Sequence, residues 1–145
     1  MEIPHYPGLN IDLIASFLAK VLSGHTVDEN TVLVGHSGGA ALLLGILEHI
    51  QSAVAQAILV AGYMTPPNAG IEPVLQGRYD WEKIKQHVRD IYFVNSITDP
   101  YGCDDKQGRA MFTHLGGTQI IRDEEHFGSP EQEYPTFDLL DRLIS

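Results

Sequence analysis

Apolar positions along this chain recur at helical spacing, then gather into short unbroken runs. Leu13, Ile14, Phe17, Leu18, Val21 and Leu22 lie on one face of a helix, with Asn10 as its cap and Ser23-Gly24 at its end. Residues 31 to 35, Thr-Val-Leu-Val-Gly, form a β-branched run and predict a short buried strand. Gly38 to Ile50 is helical and apolar on nearly every side, so it should lie buried against a sheet. Ala57 to Ala61, Ile91 to Asn95 and Thr118 to Arg122 are three further strands. Trp81, Ile84 and Val88 mark a short helix between the second and third. Asp104 to Leu115 is a helix broken by Gly116-Gly117, and Pro135 to Ile144 closes the chain with Phe137, Leu140 and Ile144 on one face.

Two stretches lack a period. Residues 1 to 10, with Pro4, Pro7 and Gly8, are an extended lead-in. Residues 62 to 80 carry Gly62, Pro66, Pro67, Gly70, Pro73 and Gly77 and predict a long irregular excursion. Short apolar strands alternating with helices imply an α/β fold in three layers, a parallel sheet of about four strands with helices on both faces. A chain of 145 residues with 43% hydrophobic content is one domain with a proper core.

Charge narrows the function. A net charge of −10 repels phosphate backbones and anionic lipid, which argues against nucleic-acid and membrane partners. Cys103 is the only cysteine, so no internal disulfide can form and a reducing, cytoplasmic setting is expected. No signal peptide follows Met1, and the longest apolar run, Ala40 to Leu47, is too short to span a bilayer.

The chemistry centres on Gly35-His36-Ser37-Gly38-Gly39, a G-x-S-x-G between a predicted strand and a predicted helix. A turn this sharp needs residues without side chains on either side of the serine. It lifts the Ser37 hydroxyl clear of the sheet and aims the Gly38 N–H, at a helix start, toward developing negative charge. The bare pattern is weak, and the competing explanation is a glycine-rich turn with a capping serine. Partner residues strengthen the catalytic one. Functional groups gather at the carboxyl ends of parallel strands. Asp99 follows the third strand and His126 the fourth, giving the order Ser, Asp, His of α/β-hydrolases. Serine needs an imidazole to take its proton, and the imidazole needs a carboxylate to fix its tautomer. Asp99 before Pro100 also fits a simple turn opener, and Asp104, Asp105 and Asp123 are competing acids. His36 is expected to pack or support rather than react, and Cys103, without an elbow or helix start, is not the expected nucleophile. Asp123-Glu124-Glu125 lacks metal-ligand spacing, so neither a metal nor another cofactor is expected.

Val34 to Ala40, Trp81-Glu82-Lys83-Ile84-Lys85, Asp99-Pro100 and His126-Phe127 together resemble the small serine hydrolases related to retinoblastoma-binding protein 9 and bacterial YdeN. The resemblance covers most of the chain, and Trp-Glu-Lys-Ile is its most specific part. It implies a compact α/β-hydrolase with Ser37 as nucleophile, Asp99 as acid and His126 as base. It also marks three departures. Gly102-Cys103 stands where a Val-Pro-like pair is usual, and Glu125 where glycine is usual. The family's opening strand and glycine-rich loop, which supplies a second oxyanion N–H, has no counterpart before Ile3-Pro4.

Three expectations follow from that last departure. The chain is a fragment or a late-started reading frame, or a second copy covers the exposed strand at 31–35 as a homodimer, or residues 1 to 10 fold back over it. The function expected is hydrolysis of a small ester or acyl substrate through Ser37, His126 and Asp99, with Gly38 holding the oxyanion and Met64, Ile71, Leu75 and Tyr79 roofing the pocket. The alternative is a non-catalytic binding protein on a hydrolase scaffold. A phosphate binder is disfavoured, because neither glycine-rich nucleotide motif is present.

Overall fold

A computed structural model describes residues 19–144, apart from 21 and 69–71. The lead-in and most of the first predicted helix lie outside the described residues. Ala19, Lys20 and Leu22 are helical and turn at Ser23-Gly24, where the pattern ends the helix.

Eight elements follow: β1 (Val32–His36), α1 (Gly38–His49), β2 (Val54–Val60), α2 (Trp81–Gln86), β3 (Val88–Ser96), α3 (Asp105–Leu115), β4 (Thr118–Arg122) and α4 (Asp138–Leu143). The strands form one parallel sheet in the order β1-β2-β3-β4. Side chains alternate across it. Leu33, Ala57, Leu59, Ile91 and Phe93 meet α1, α2 and α3 in one core. Ile58, Val60 and Val94 face the other way, and Phe137, Leu139, Leu140 and Leu143 of α4 and its entry pack on that side. The three crossover helices share a face, as a constant crossover hand requires. Nine consecutive or near-consecutive burials, Ala40 to Glu48, explain why α1 is apolar all round.

The edges of elements move where packing outweighs local pattern. β2 starts at Val54, ahead of the apolar run, because Val54 and Gln56 find ladder partners in Val88 and Asp90. Val88 therefore opens β3 instead of closing a helix. α2 ends at Gln86, and the His87 ring bonds the Leu47 carbonyl at 2.6 Å. α4 begins at Asp138 rather than Pro135, and Ile144, expected on its apolar face, is 41% exposed. Among the described residues β1 is paired on one side only, by β2. None of the described helices is long and apolar enough to cross a membrane.

The tightest join in the fold is between β1 and α1. A Cβ on Gly35 would lie 2.6 Å from the Gly39 carbonyl oxygen and 2.8 Å from the Ala40 Cα, both backbone atoms that cannot swing aside. Gly35→Ala should therefore push α1 off the sheet and destabilise the protein by about 1–3 kcal/mol. Urea denaturation measures this as a lowered midpoint, and an unchanged midpoint would contradict the close approach.

Candidate active site

The turn between β1 and α1 holds Ser37 at φ 56° and ψ −119°. A non-glycine residue there costs on the order of 1–3 kcal/mol, retained only where surroundings enforce it. They do so here: the Ser37 N–H donates to the Val60 carbonyl at 2.8 Å, and the Ser37 carbonyl accepts from Ala41 at 3.1 Å. The Ser37 side chain makes no capping hydrogen bond to α1, so the capping-serine explanation fails. Gly38 is the first residue of α1, where backbone N–H groups have no partner within the helix.

Asp99 lies in the loop after β3. Its Oδ1 accepts the Tyr101 N–H at 2.8 Å, so it does open a turn, and its Oδ2 accepts His126 Nδ1 at 2.7 Å. Its side chain is fully buried, and that of His126 nearly so. Two of the three competing acids are engaged elsewhere. Asp104 caps α3 through the N–H groups of Lys106 and Gln107, and Asp123 accepts from Thr98. Glu125 is exposed and has no bond to His126.

The loop carrying His126 is over-determined. Glu125, Phe127 and Gly128 all have positive φ, and the buried Phe127 ring anchors the loop against Tyr134 and Phe137. The Gln132 carboxamide accepts from the N–H groups of His126 (3.1 Å) and Gly128 (3.0 Å) and donates to the Glu124 carbonyl (3.1 Å). Glu124 is held by Arg122 and by the Tyr134 hydroxyl. From the other side, His36 Nε2 donates to the His126 carbonyl at 2.7 Å. Burial of part of the His36 ring lowers its pKa, against the raising effect of this hydrogen bond.

Ser37, His126, Cys103, Tyr63 and Glu72 line one cleft of about 460 Å³, with His36, Tyr101 and Gly128 at its walls. Tyr63 donates to Glu72 at 2.7 Å, and burial together with that bond pushes its hydroxyl well above the ordinary tyrosine range. No hydrogen bond links Ser37 Oγ to His126 among the described residues; the Cys103 thiol lines the same cleft. Catalytic hydrogen bonds are commonly long before substrate arrives. Cys103 is 2% exposed, and its sulfur lies within 4.8 Å of ligand atoms of both Asp99 and His126.

Sequence reasoning thus missed Cys103, the Tyr63–Glu72 pair and the Gln132 clamp. Only the Gly102-Cys103 departure from the family pattern could have drawn attention to the first. The expected roof is corrected as well. Met64 and Tyr79 pack against the α1–α3 core and Leu75 against the opposite one, because apolar side chains gain more there than over an open cleft; Ile71 lies outside the described residues. The 62–80 excursion reaches the cleft instead through Tyr63, Pro67, Asn68 and Glu72.

A parallel sheet with helices on both faces and a strained serine at its rim defines the α/β-hydrolase class. Within that class the chain belongs to the serine hydrolase family, whose model matches residues 15–134. It is 39% identical over 79 residues to a putative hydrolase, YdeN of Bacillus subtilis (strain 168); the match takes in 52% of this chain and 42% of that protein. The crystal structure of the B. subtilis ydeN gene product superposes with a TM-score of 0.78 at 22% identity, covering 99% of this chain and 78% of that one. A variant of the meta-cleavage product hydrolase CumD gives 0.64 at 11% identity, with 99% and 73% covered. The Pyrococcus horikoshii acylaminoacyl peptidase gives 0.60 at 15%, with 92% and 27% covered. These structures share the fold. The likeness to retinoblastoma-binding protein 9 rests on the sequence motifs alone.

Burial, followed by the Asp99 charge, pushes the Cys103 thiol up to about 12, against a lowering by its contact with Ser37. The folded protein should therefore react negligibly with iodoacetamide at pH 8, where an ordinary thiol near 8.5 reacts readily. Urea-unfolded protein should take up one label per chain, read by mass spectrometry, and rapid labelling of the folded form would refute the burial argument.

Proposed function

We propose that the chain hydrolyses small carboxylic esters or related acyl compounds through Ser37, His126 and Asp99. The 2.7 Å bond to the buried Asp99 carboxylate from Nδ1 of His126, which lines the same cleft as Ser37, carries this reading. Ser37 Oγ attacks the acyl carbonyl while His126 Nε2 takes its proton. Asp99 holds the proton on Nδ1 and stabilises the imidazolium that forms. The Gly38 N–H faces the oxyanion. His126 then protonates the leaving alcohol, and a water activated by the same ring cleaves the acyl-enzyme. A turn of the Ser37 side chain toward Nε2 starts the cycle.

A fluorophosphonate probe should label the protein, and Ser37→Ala should abolish the label. Asp99→Asn should keep the fold but lower ester turnover by about 10⁴-fold, since the wrong tautomer then faces the serine. Folded protein that takes no label would refute the reading.

One observation favours a second reading: the free edge of β1 among the described residues. On that reading the chain is a binding protein on a hydrolase scaffold, with a second copy of itself on that edge. It predicts a dimer by light scattering together with no turnover; a monomer, or turnover at any assembly state, counts against it.

A further inference from the structure

The thiol beside the candidate triad has no role in acyl transfer, and its surroundings give it another. An oxygen of Asp99, a ring nitrogen of His126 and Cys103 Sγ all lie within 4.8 Å of one another. Carboxylate, imidazole and thiolate are a donor set that suits zinc and similar borderline-soft divalent ions. Bonds of about 2.0 Å to nitrogen or oxygen and about 2.3 Å to sulfur, at tetrahedral angles, separate ligands by roughly 3.3–3.6 Å. The three donors reach that spacing with side-chain shifts on the order of 1 Å.

We propose that Asp99, Cys103 and His126 form an inhibitory site for Zn²⁺ or a similar borderline-soft divalent cation. Binding itself stands on this juxtaposition; its inhibitory consequence rests on the proposed triad.

Three further features fit. The cleft gives the ion a path to Cys103 and His126, which both line it. Outer partners are in place: the Tyr101 N–H holds the second Asp99 oxygen, and His36 holds the His126 backbone. The local charge is negative, because Glu72 stands in the same cleft and, among the described residues, no lysine or arginine lines it. On binding, Cys103 releases its proton to solvent and ligates as thiolate. The ring gives one lone pair to the ion. If Nδ1 ligates, its proton moves to Nε2; if Nε2 ligates, its lone pair is consumed. Either way Nε2 can no longer take the Ser37 proton, and the ion blocks the base without touching the serine. Mg²⁺ and Ca²⁺, which prefer oxygen ligands, should not compete.

Two readouts test this on the whole chain. Co²⁺ is the spectroscopic probe: a thiolate-to-cobalt charge-transfer band should appear with the wild-type protein and be absent from Cys103→Ala and from Cys103→Ser, both checked for folding by circular dichroism. Fluorophosphonate labelling is the second. Micromolar Zn²⁺ should suppress it, EDTA should restore it, and equal Mg²⁺ should leave it unchanged. Loss of an outer partner alone typically weakens metal binding by about 10- to 100-fold, so loss of the sulfur should raise the inhibiting zinc concentration by at least about tenfold, each variant compared with its own zinc-free rate. No cobalt–thiolate band, or equal zinc sensitivity in wild type and both variants, would overturn the proposal. Failure of the zinc-free protein to label would instead overturn the hydrolase reading, and the cobalt spectrum would still decide the metal site.

Discussion

The site depends on one close approach, that of the first turn of α1 to the end of β1. Gly35 has no side chain, so the Gly39 carbonyl can sit where a Cβ would otherwise be. That proximity leaves the chain a single residue in which to reverse direction, and Ser37 takes a left-handed φ of 56° to do so. The strain, on the order of 1–3 kcal/mol, is offset by what lies behind it. Leu42, Leu43, Leu44, Ile46 and Leu47 are all 2% exposed or less, and each such side chain contributes about 1.5–3 kcal/mol on burial. The burial of α1 fixes the turn, and the turn fixes the hydroxyl at the rim.

The other two groups reach that rim because the sheet is parallel. β1, β3 and β4 end on the same side, and the loops that follow them carry Ser37, Asp99 and His126. Proximity of loops does not by itself aim an imidazole, and here the chain spends polar groups to do so. Ser96 Oγ accepts the Glu124 N–H at 3.0 Å, and Gln132 accepts two N–H groups around His126. His36, the residue before the serine, reaches across to the His126 carbonyl and couples the two loops directly.

The alternation of apolar runs made the sheet and its crossover helices legible, because a strand buried on both faces and a helix buried all round write continuous signals. Boundaries were not legible where pairing decides them. Nothing local marks Gln56 as a strand residue, since its partner Asp90 is 34 positions away. The three triad candidates could be found because their order and spacing follow strand ends. Cys103 could not, since its neighbours Ser37 and His126 come from other loops and its own surroundings are an ordinary turn before a capped helix. Likewise the apolar residues of the excursion suggested a roof, but sequence carries no sign of which side of the main chain the core will claim.

The departure at Gly102-Cys103 also has a local physical reason. Gly102 has φ 81°, and a Cβ there would lie 2.7 Å from the Pro67 carbonyl oxygen, so the loop after β3 packs directly under the excursion. Asn95 reinforces the contact from inside the core, its amide donating to the Gly62 carbonyl at 3.1 Å and the Cys103 carbonyl at 3.0 Å. Room for that side chain comes from Gly108 of α3, where a Cβ would fall 2.3 Å from Asn95 Oδ1. Two glycines and one buried amide therefore hold the Cys103 backbone in place from above and below. The thiol is thus fixed beside His126 by the packing of two loops.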